Sequence, residues 1–364
     1  MGTPKLQVGI IGVGGIGRHY HIPSYLRCEN VQIAAACDIS DEALEQVKAQ
    51  YGIQCLSCDY LELLESNDID IVSVCTSNDM HYPVVMAAID KGLDIYCEKP
   101  LALTVAEAQE MYEAAEENGT KTGVNFSHRR TPAAQLAKEI IASGALGNIH
   151  YVSAVYAAGA PDYANRPGTW RNDRSRAGYG GLGDMGSHMI DMMLWWLDSD
   201  IEAVAAQMST VVKERISRET GKPVPVTTED QGNFLVRYAN GALGYFCGSY
   251  MFTGRGYDQR VEVYGSEGGL MYNQQHPYEL DVYLPADALK QYVVLRQGGT
   301  RDTPYTTIHV PERLQGLSPD GSGERRTLLM DYIDAYRAVP SSSDPTSMMA
   351  CGSSKSWKPA RPAR

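Results

Sequence analysis

No stretch of this 364-residue chain approaches the roughly 18 consecutive apolar residues that a membrane-spanning helix requires. The opening "MGTPKLQVGIIGVG" lacks a charged region followed by a long apolar run and a small-residue cleavage site, so no secretory leader is expected. Positive charge is also short: 32 Lys and Arg stand against 44 Asp and Glu, a net charge of −12. That balance argues against nucleic acid or an anionic membrane as partner, because phosphates would be repelled. The eight cysteines form no disulfide framework and suit a reducing, cytoplasmic setting. Cys55 and Cys58 make the single CxxC, and no second pair completes a zinc site, so ordinary packing is expected there and no metal. Internal repeats are absent as well.

What the chain does have is the length for two domains and a 43% hydrophobic share typical of globular proteins. Residues 1–127 alternate strand and helix patterns in the way a parallel α/β sheet demands. "KLQVGII", "VQIAAACD", "DIDIVSVC", "LDIYCEKP" and "KTGVNF" read as strands, with helices between them. Thr104 and Glu107 have capping-box spacing before one of these helices. After Thr131 the rhythm changes to a helix, the strand "NIHYVSAVYA", an Arg- and Gly-rich loop, a further helix, and then sequential strands with short turns. Residues 128–338 are therefore expected to form an α+β domain with a large open, mostly antiparallel sheet. Residues 339–364, rich in Ser, Pro and Lys, read as an irregular tail.

The segment "GIIGVGGIG" places Gly12, Gly14 and Gly17 in GxGxxG spacing, straight after a strand and opening a helix. In that context Gly12 permits the tight turn, Gly14 lets the backbone approach a pyrophosphate, and Gly17 lets helix and strand pack closely. Gly15 and Ile16 lie in the same turn, whose unpaired N–H groups favour phosphate. Asp38 ends the second strand, where its carboxylate can accept both ribose hydroxyls of NAD. It would face the extra phosphate of NADP as a like charge, and Ile39 and Ser40 offer no compensating cation. NAD is the expected cofactor.

A second segment, "GGLGDMGSHMIDMMLWWL" (residues 180–197), raises a different question. It has the composition of a buried helix, yet Asp184, His188 and Asp191 recur at helical spacing on one face. Trp195 and Trp196 read as core. Asp191 could meet a substrate or pair with a neighbouring Arg.

With the glycine loop, "CEKP" and "GGLGDMGSHMID" together, the chain resembles the Gfo/Idh/MocA family, the relatives of glucose–fructose oxidoreductase and inositol dehydrogenase, over about residues 5–338. The resemblance implies a Rossmann domain, a second domain whose open sheet face joins homo-dimers or homo-tetramers, and reversible oxidation of a secondary hydroxyl on a sugar, cyclitol or related polyol. It places Lys99, Asp184 and His188 in the catalytic group, with Glu98 beside Lys99 at the cofactor. It places Thr76, Ser77, Asn78 and His81 along the cofactor, Asn125 and Arg129 near the nicotinamide, and Trp170 and Arg171 near cofactor and substrate. Lys99, Arg129, Asp184 and His188 are the expected substrate contacts.

Oxidising a secondary alcohol requires a hydride to leave carbon and a proton to leave oxygen, so a base must reach the hydroxyl. His188 is suited by its near-neutral titration, helped by a position at the start of its helix. The Lys99 ammonium can stabilise the developing alkoxide, and Asp184 can hold a second hydroxyl. The other reading is a dinucleotide-binding sensor without turnover, for which all three groups would be unnecessary. Four loop arginines, Arg166, Arg171, Arg174 and Arg176, leave open whether the substrate carries an anionic substituent.

The resemblance also leads one to expect a terminal Gly-Leu-Arg helix. "SMMACGSSKSWKPARPAR" has no apolar periodicity to form it. A shifted reading of plausible codons would give Gly-Leu-Arg-Val-Val-Glu-Val-Leu-Glu-Ala-Cys, so the tail is expected to be a shifted reading frame.

Overall fold

The structure is a computed structural model that describes residues 4–65, 68–218, 220–300, 304–319 and 325–338. The expected tail of residues 339–364 and its reading frame lie outside the described residues. The chain divides into two compact units, with the break between Ser127 and His128.

In the first unit, six strands run in chain order: β1 (Leu6–Ile11), β2 (Val31–Cys37), β3 (Cys55–Ser57), β4 (Ile71–Val74), β5 (Asp94–Cys97) and β6 (Thr122–Val124). They pair in parallel in the order β3-β2-β1-β4-β5-β6. This is the doubly wound arrangement, with helices on both faces. Such strands are buried on both sides, hence the near-continuous apolar runs of β1 and β4. One face packs Ile22, Tyr25, Leu44 and Val47 against Val8 and Ile10. The other packs Val84, Ala88, Ile89 and Met111 against Val72 and Val74. Thr104 and Glu107 form the expected capping box of the helix Val105–Asn118, and Gly52 ends the helix Asp41–Tyr51 at a φ of 72°.

Two features of this unit were not expected. The short edge strand β3 has too few residues to show a period. The helix Leu328–Ala338, assigned from sequence to the second domain of 128–338, belongs instead to the first unit. Its Leu329, Tyr332 and Ile333 join the Val8 and Ile10 core, and Thr327 just before it hydrogen-bonds Ser24. Chain order had suggested the assignment, and apolar burial overrides it.

The second unit contains β7 (Ile149–Ala157), β8 (Ile201–Ser209), a short antiparallel pair β9 (Glu214–Ile216) and β10 (Pro223–Pro225), then β11 (Gln231–Tyr238), β12 (Leu243–Ser249), β13 (Asp258–Gly265), β14 (Gly269–Asn273), β15 (Glu279–Tyr283), β16 (Val294–Arg296) and β17 (Thr306–His309). Nine of these form one sheet in the order β16-β17-β15-β14-β13-β7-β12-β11-β8. Its pairs are antiparallel except β7 with β12. The hairpin turn between β11 and β12 carries Gly241 at a φ of 87°. Alternation along β11 turns Phe234 and Val236 inward, where they share a core with Phe246, Val261, Val263, Met189 and Trp196. The helices Pro132–Ala142 and Ser187–Leu197 supply the other side of that core, and Trp196 Nε1 donates to the Ala134 carbonyl at 3.1 Å. Leu235, Leu243 and Tyr283 point away from it and are exposed.

Candidate active site

The glycine loop follows β1. Gly12 has a φ of 91°, and a Cβ there would lie 2.6 Å from the Cys75 backbone. At Gly17 a Cβ would come within 2.3 Å of the Gly12 carbonyl oxygen. Gly14 meets nothing within 4 Å, and Gly14, Gly15 and Ile16 are exposed. The turn is thus tight on its inner side and open where a pyrophosphate would approach, which fits a dinucleotide. Asp38 is tied into the same turn, accepting from the Val13 N–H at 2.8 Å and the Ser40 N–H at 3.0 Å.

After the loop the chain makes a π-helical turn, Gly17–His21, before the helix Ile22–Leu26. The turn aims the fully buried His21 at the end of β5. His21 Nε2 lies 2.8 Å from Glu98 Oε1, and its Nδ1 lies 2.8 Å from Ser73 Oγ. Asn125 Nδ2 donates to the same Glu98 oxygen at 2.6 Å, and Tyr96 donates to Asn125 Oδ1 at 2.9 Å. The other Glu98 oxygen accepts from the Lys99 N–H at 3.2 Å. Burial alone would raise the Glu98 carboxyl, but hydrogen bonding and charge from His21, then Lys99 and Asn125, outweigh it and hold it below its usual range. Glu98, Lys99 and Asn125 therefore start from one anchored network at the C-terminal ends of β5 and β6, where such sheets bind ligands.

Thr76, Ser77 and Asn78 follow β4 and lead into the helix His81–Asp90. His81 is fully buried. Its Nδ1 donates to the Pro100 carbonyl at 2.9 Å, and burial lowers its pKa. It ties the helix to the segment that carries Lys99.

In the second unit, Asp184 and His188 lie on one continuous helical run, but its first part, Leu182–Gly186, is a π turn and only Ser187–Leu197 is α-helical. This corrects the expectation that His188 stands at a helix start. Asp184 occupies the first turn, and His188 lies a turn further on, where the dipole has faded. The buried Glu229 carboxylate closes the start of the run, accepting from the N–H groups of Gly180 at 2.8 Å and Leu182 at 3.0 Å. Tyr250 donates to Asp184 Oδ2 at 2.7 Å, and burial followed by the Asp184 charge keeps that phenol protonated.

Asp191 does not join them as a second carboxylate. Arg129 binds it through Nε at 2.7 Å and through a second nitrogen, with both side chains largely buried. The expected substrate contact Arg129 is thus committed to Asp191, and its guanidinium also lies 5.7 Å from the Trp195 ring centre. Trp195 and Trp196 are core, as expected. In the loop, Arg171 stacks over Trp170 at 4.4 Å, Arg166 pairs with Asp162, and Arg174 lies 3.7 Å from Glu229. The sequence reading did not single out His21, Ser73, Tyr96, Tyr250 or Glu229. Each meets its partner across tens of residues, so no local period marks it.

A glycine cradle on a doubly wound sheet and a polar-faced helix on an open sheet define a two-domain, dinucleotide-dependent oxidoreductase. Residues 6–126 match the oxidoreductase family with NAD-binding Rossmann fold, and residues 134–271 match the GFO/IDH/MocA C-terminal domain. Levoglucosan dehydrogenase of Pseudarthrobacter phenanthrenivorans is 30% identical over 92% of this chain and 89% of its own. Myo-inositol 2-dehydrogenase of Thermotoga maritima is 29% identical over 72% of this chain and 74% of its own. Among solved structures, an oxidoreductase domain protein from Kribbella flavida is 29% identical with a TM-score of 0.80, covering 95% of this chain and 94% of that one. A levoglucosan dehydrogenase in complex with NADH and L-sorbose is 29% identical with a TM-score of 0.77, covering 89% and 84%. The chain belongs to the Gfo/Idh/MocA family and is an NAD-dependent oxidoreductase of its sugar and polyol dehydrogenase kind.

Proposed function

We propose that the protein reversibly oxidises a secondary ring hydroxyl of an uncharged sugar, cyclitol or glycoside to a ketone. The observation that carries this reading is the pairing of Asp184 and His188 on one helical run whose start and first carboxylate are held by Glu229 and Tyr250. A chain that only sensed a dinucleotide would have no use for an anchored acid and imidazole in its second domain.

The roles follow from chemistry. His188 accepts the hydroxyl proton as general base. Lys99 offers an ammonium to the oxygen as alkoxide charge develops. Asp184, with one oxygen held by Tyr250, accepts from a neighbouring substrate hydroxyl and selects a polyol over a simple alcohol. Gly12, Gly14, Gly15, Ile16 and Gly17 hold the pyrophosphate, and Asp38 accepts from the ribose. Glu98 and Asn125 anchor the wall beside Lys99. Bound NAD supplies the hydride acceptor.

An uncharged substrate is favoured because three of the cations that could meet an anionic group have acidic partners: Arg129 has Asp191, Arg166 has Asp162 and Arg174 has Glu229. The exposed sheet face is the surface we assign to contacts between copies of the chain. The test is a screen for NADH formation with levoglucosan, myo-inositol, methyl glucosides and glucose 6-phosphate. Turnover of an uncharged ring, lost in His188→Ala, is expected. Preference for the phosphate would remove the uncharged-substrate reading. Tight NAD binding without reduction by any ring would favour the sensor.

A further inference from the structure

Two buried imidazoles of the second unit lie face to face. His188 and His128, the latter in the turn Ser127–Arg130, have ring centres 3.9 Å apart and planes 8° from parallel. They are 7% and 6% exposed. His128 is itself anchored, with Nδ1 2.7 Å from Oε1 of Gln259, a fully buried residue of β13. The backbone N–H of Gln259 donates to Gln274 Oε1 at 3.1 Å, which ties β13 to the turn that follows β14. A carbonyl oxygen only accepts, so His128 Nδ1 carries a proton and Nε2 is where this ring gains or lacks its charge. Tyr156 of β7 closes the stack edge-on, 5.2 Å from His128 and 6.2 Å from His188.

We propose that His128 is a positioning residue for His188, and that the stacked pair carries at most one positive charge. The proposal rests on the reading of His188 as the base. The flat contact holds the His188 ring in one plane, which a base must keep while it takes a proton from a fixed hydroxyl. Two unit charges about 4 Å apart at an effective dielectric near 20 disfavour the doubly charged state by about a factor of 10³.

Tyr156 keeps its proton because it is buried. Asp191 is bound by Arg129, and Arg130 adds a further cation to the same turn as His128. Asp184, held by Tyr250, provides one negative charge and so supports one cation. During oxidation the substrate O–H bond breaks, an N–H bond forms on His188, and the hydride passes from carbon to NAD. A proton already on His128 would make His188 the second cation and oppose that transfer. The reverse reaction starts from His188 already charged and His128 neutral. Mild acid therefore slows oxidation more than reduction.

The test is nitrogen NMR of the histidine rings in the full chain with NAD bound. With only eight histidines, the two rings can be assigned by single substitutions. Between pH 9 and pH 5 the two rings together are expected to gain one proton, and in His128→Phe, His188 alone gains one. A combined gain of none or two overturns the proposal, as does a His188 titration curve unchanged by His128→Phe. If that variant does not fold, His188→Phe gives the reciprocal reading, in which His128 gains a full proton by itself. The base assignment is tested apart from this. Unchanged kcat/KM in His188→Ala removes it and leaves the one-charge limit standing.

Discussion

Three side chains carry the proposed chemistry, and each was visible in the sequence because it sits in a short motif. Replacing His188 or Lys99 with Ala is expected to lower kcat by about 10²–10⁴, with NAD affinity by calorimetry changed little. Neither residue is placed at the adenosine half. Asp38→Ser is expected to weaken NAD and narrow the gap to NADP, read as the ratio of the two kcat/KM values. Equal values in the unsubstituted protein would remove Asp38 as the discriminator. The partners of these residues were not visible. Asp191 is open between a substrate contact and an arginine pair until the structure shows Arg129 bound to it, 62 positions away in the chain. Likewise His21 is a polar residue just past a glycine loop until Ser73 and Glu98 are seen around it. Burial is a property of the fold, and the period of a helix does not reveal which distant carboxylate a buried imidazole meets.

At the scale of elements, the parallel sheet and its caps were legible because their signals are local: continuous apolar runs, Thr104 with Glu107, and glycines at turns. The π turns were not legible, since "LGDMG" has the composition of ordinary helix. Glu229 shows what such a turn needs. It accepts from two backbone N–H groups at the start of the run and is 3% exposed. Glu229→Ala leaves both donors without that acceptor and is expected to cost on the order of 3 kcal/mol, measured by denaturant unfolding. It should lower kcat as well, because the turn carrying Asp184 loses its anchor. A variant with normal stability and reduced kcat would instead point to a direct role for this carboxylate.

For the molecule as a whole, acid should be felt through the first unit. The Glu98 carboxyl has a folded pKa below its unfolded value near 4.3. Its contribution is therefore present above that value and lost as pH falls through the lower, folded one. Thermal melts from pH 6 to pH 3 are expected to show a steeper loss in the native protein than in Glu98→Gln. Parallel slopes would place the acid sensitivity elsewhere. The second unit leaves Leu235 59% and Leu243 53% exposed on one sheet face, with Tyr283 on the same side, and an exposed apolar face of this kind is where protein contacts form. Light scattering is expected to give a dimer or tetramer that Leu235→Glu dissociates; a monomer at micromolar concentration would leave that face without a self-partner. The open sheet was legible from its alternating strands. The placing of the helix Leu328–Ala338 on the first unit was not, because chain order says nothing about which core a returning segment joins.

The two π turns have a consequence for how this chain is compared with others. Each holds one residue more than an α-helical turn of the same height, one before His21 and one around Asp184. Removing that surplus residue would let the helix close normally, yet would rotate everything on one side of it by about 100° relative to the other. A one-residue gap opposite Leu182–Gly186 in an alignment is therefore a change in where Asp184 points, and is not a neutral trimming of a loop. A chain that lacks the surplus residue is expected to keep the fold and turn its acid away from the imidazole.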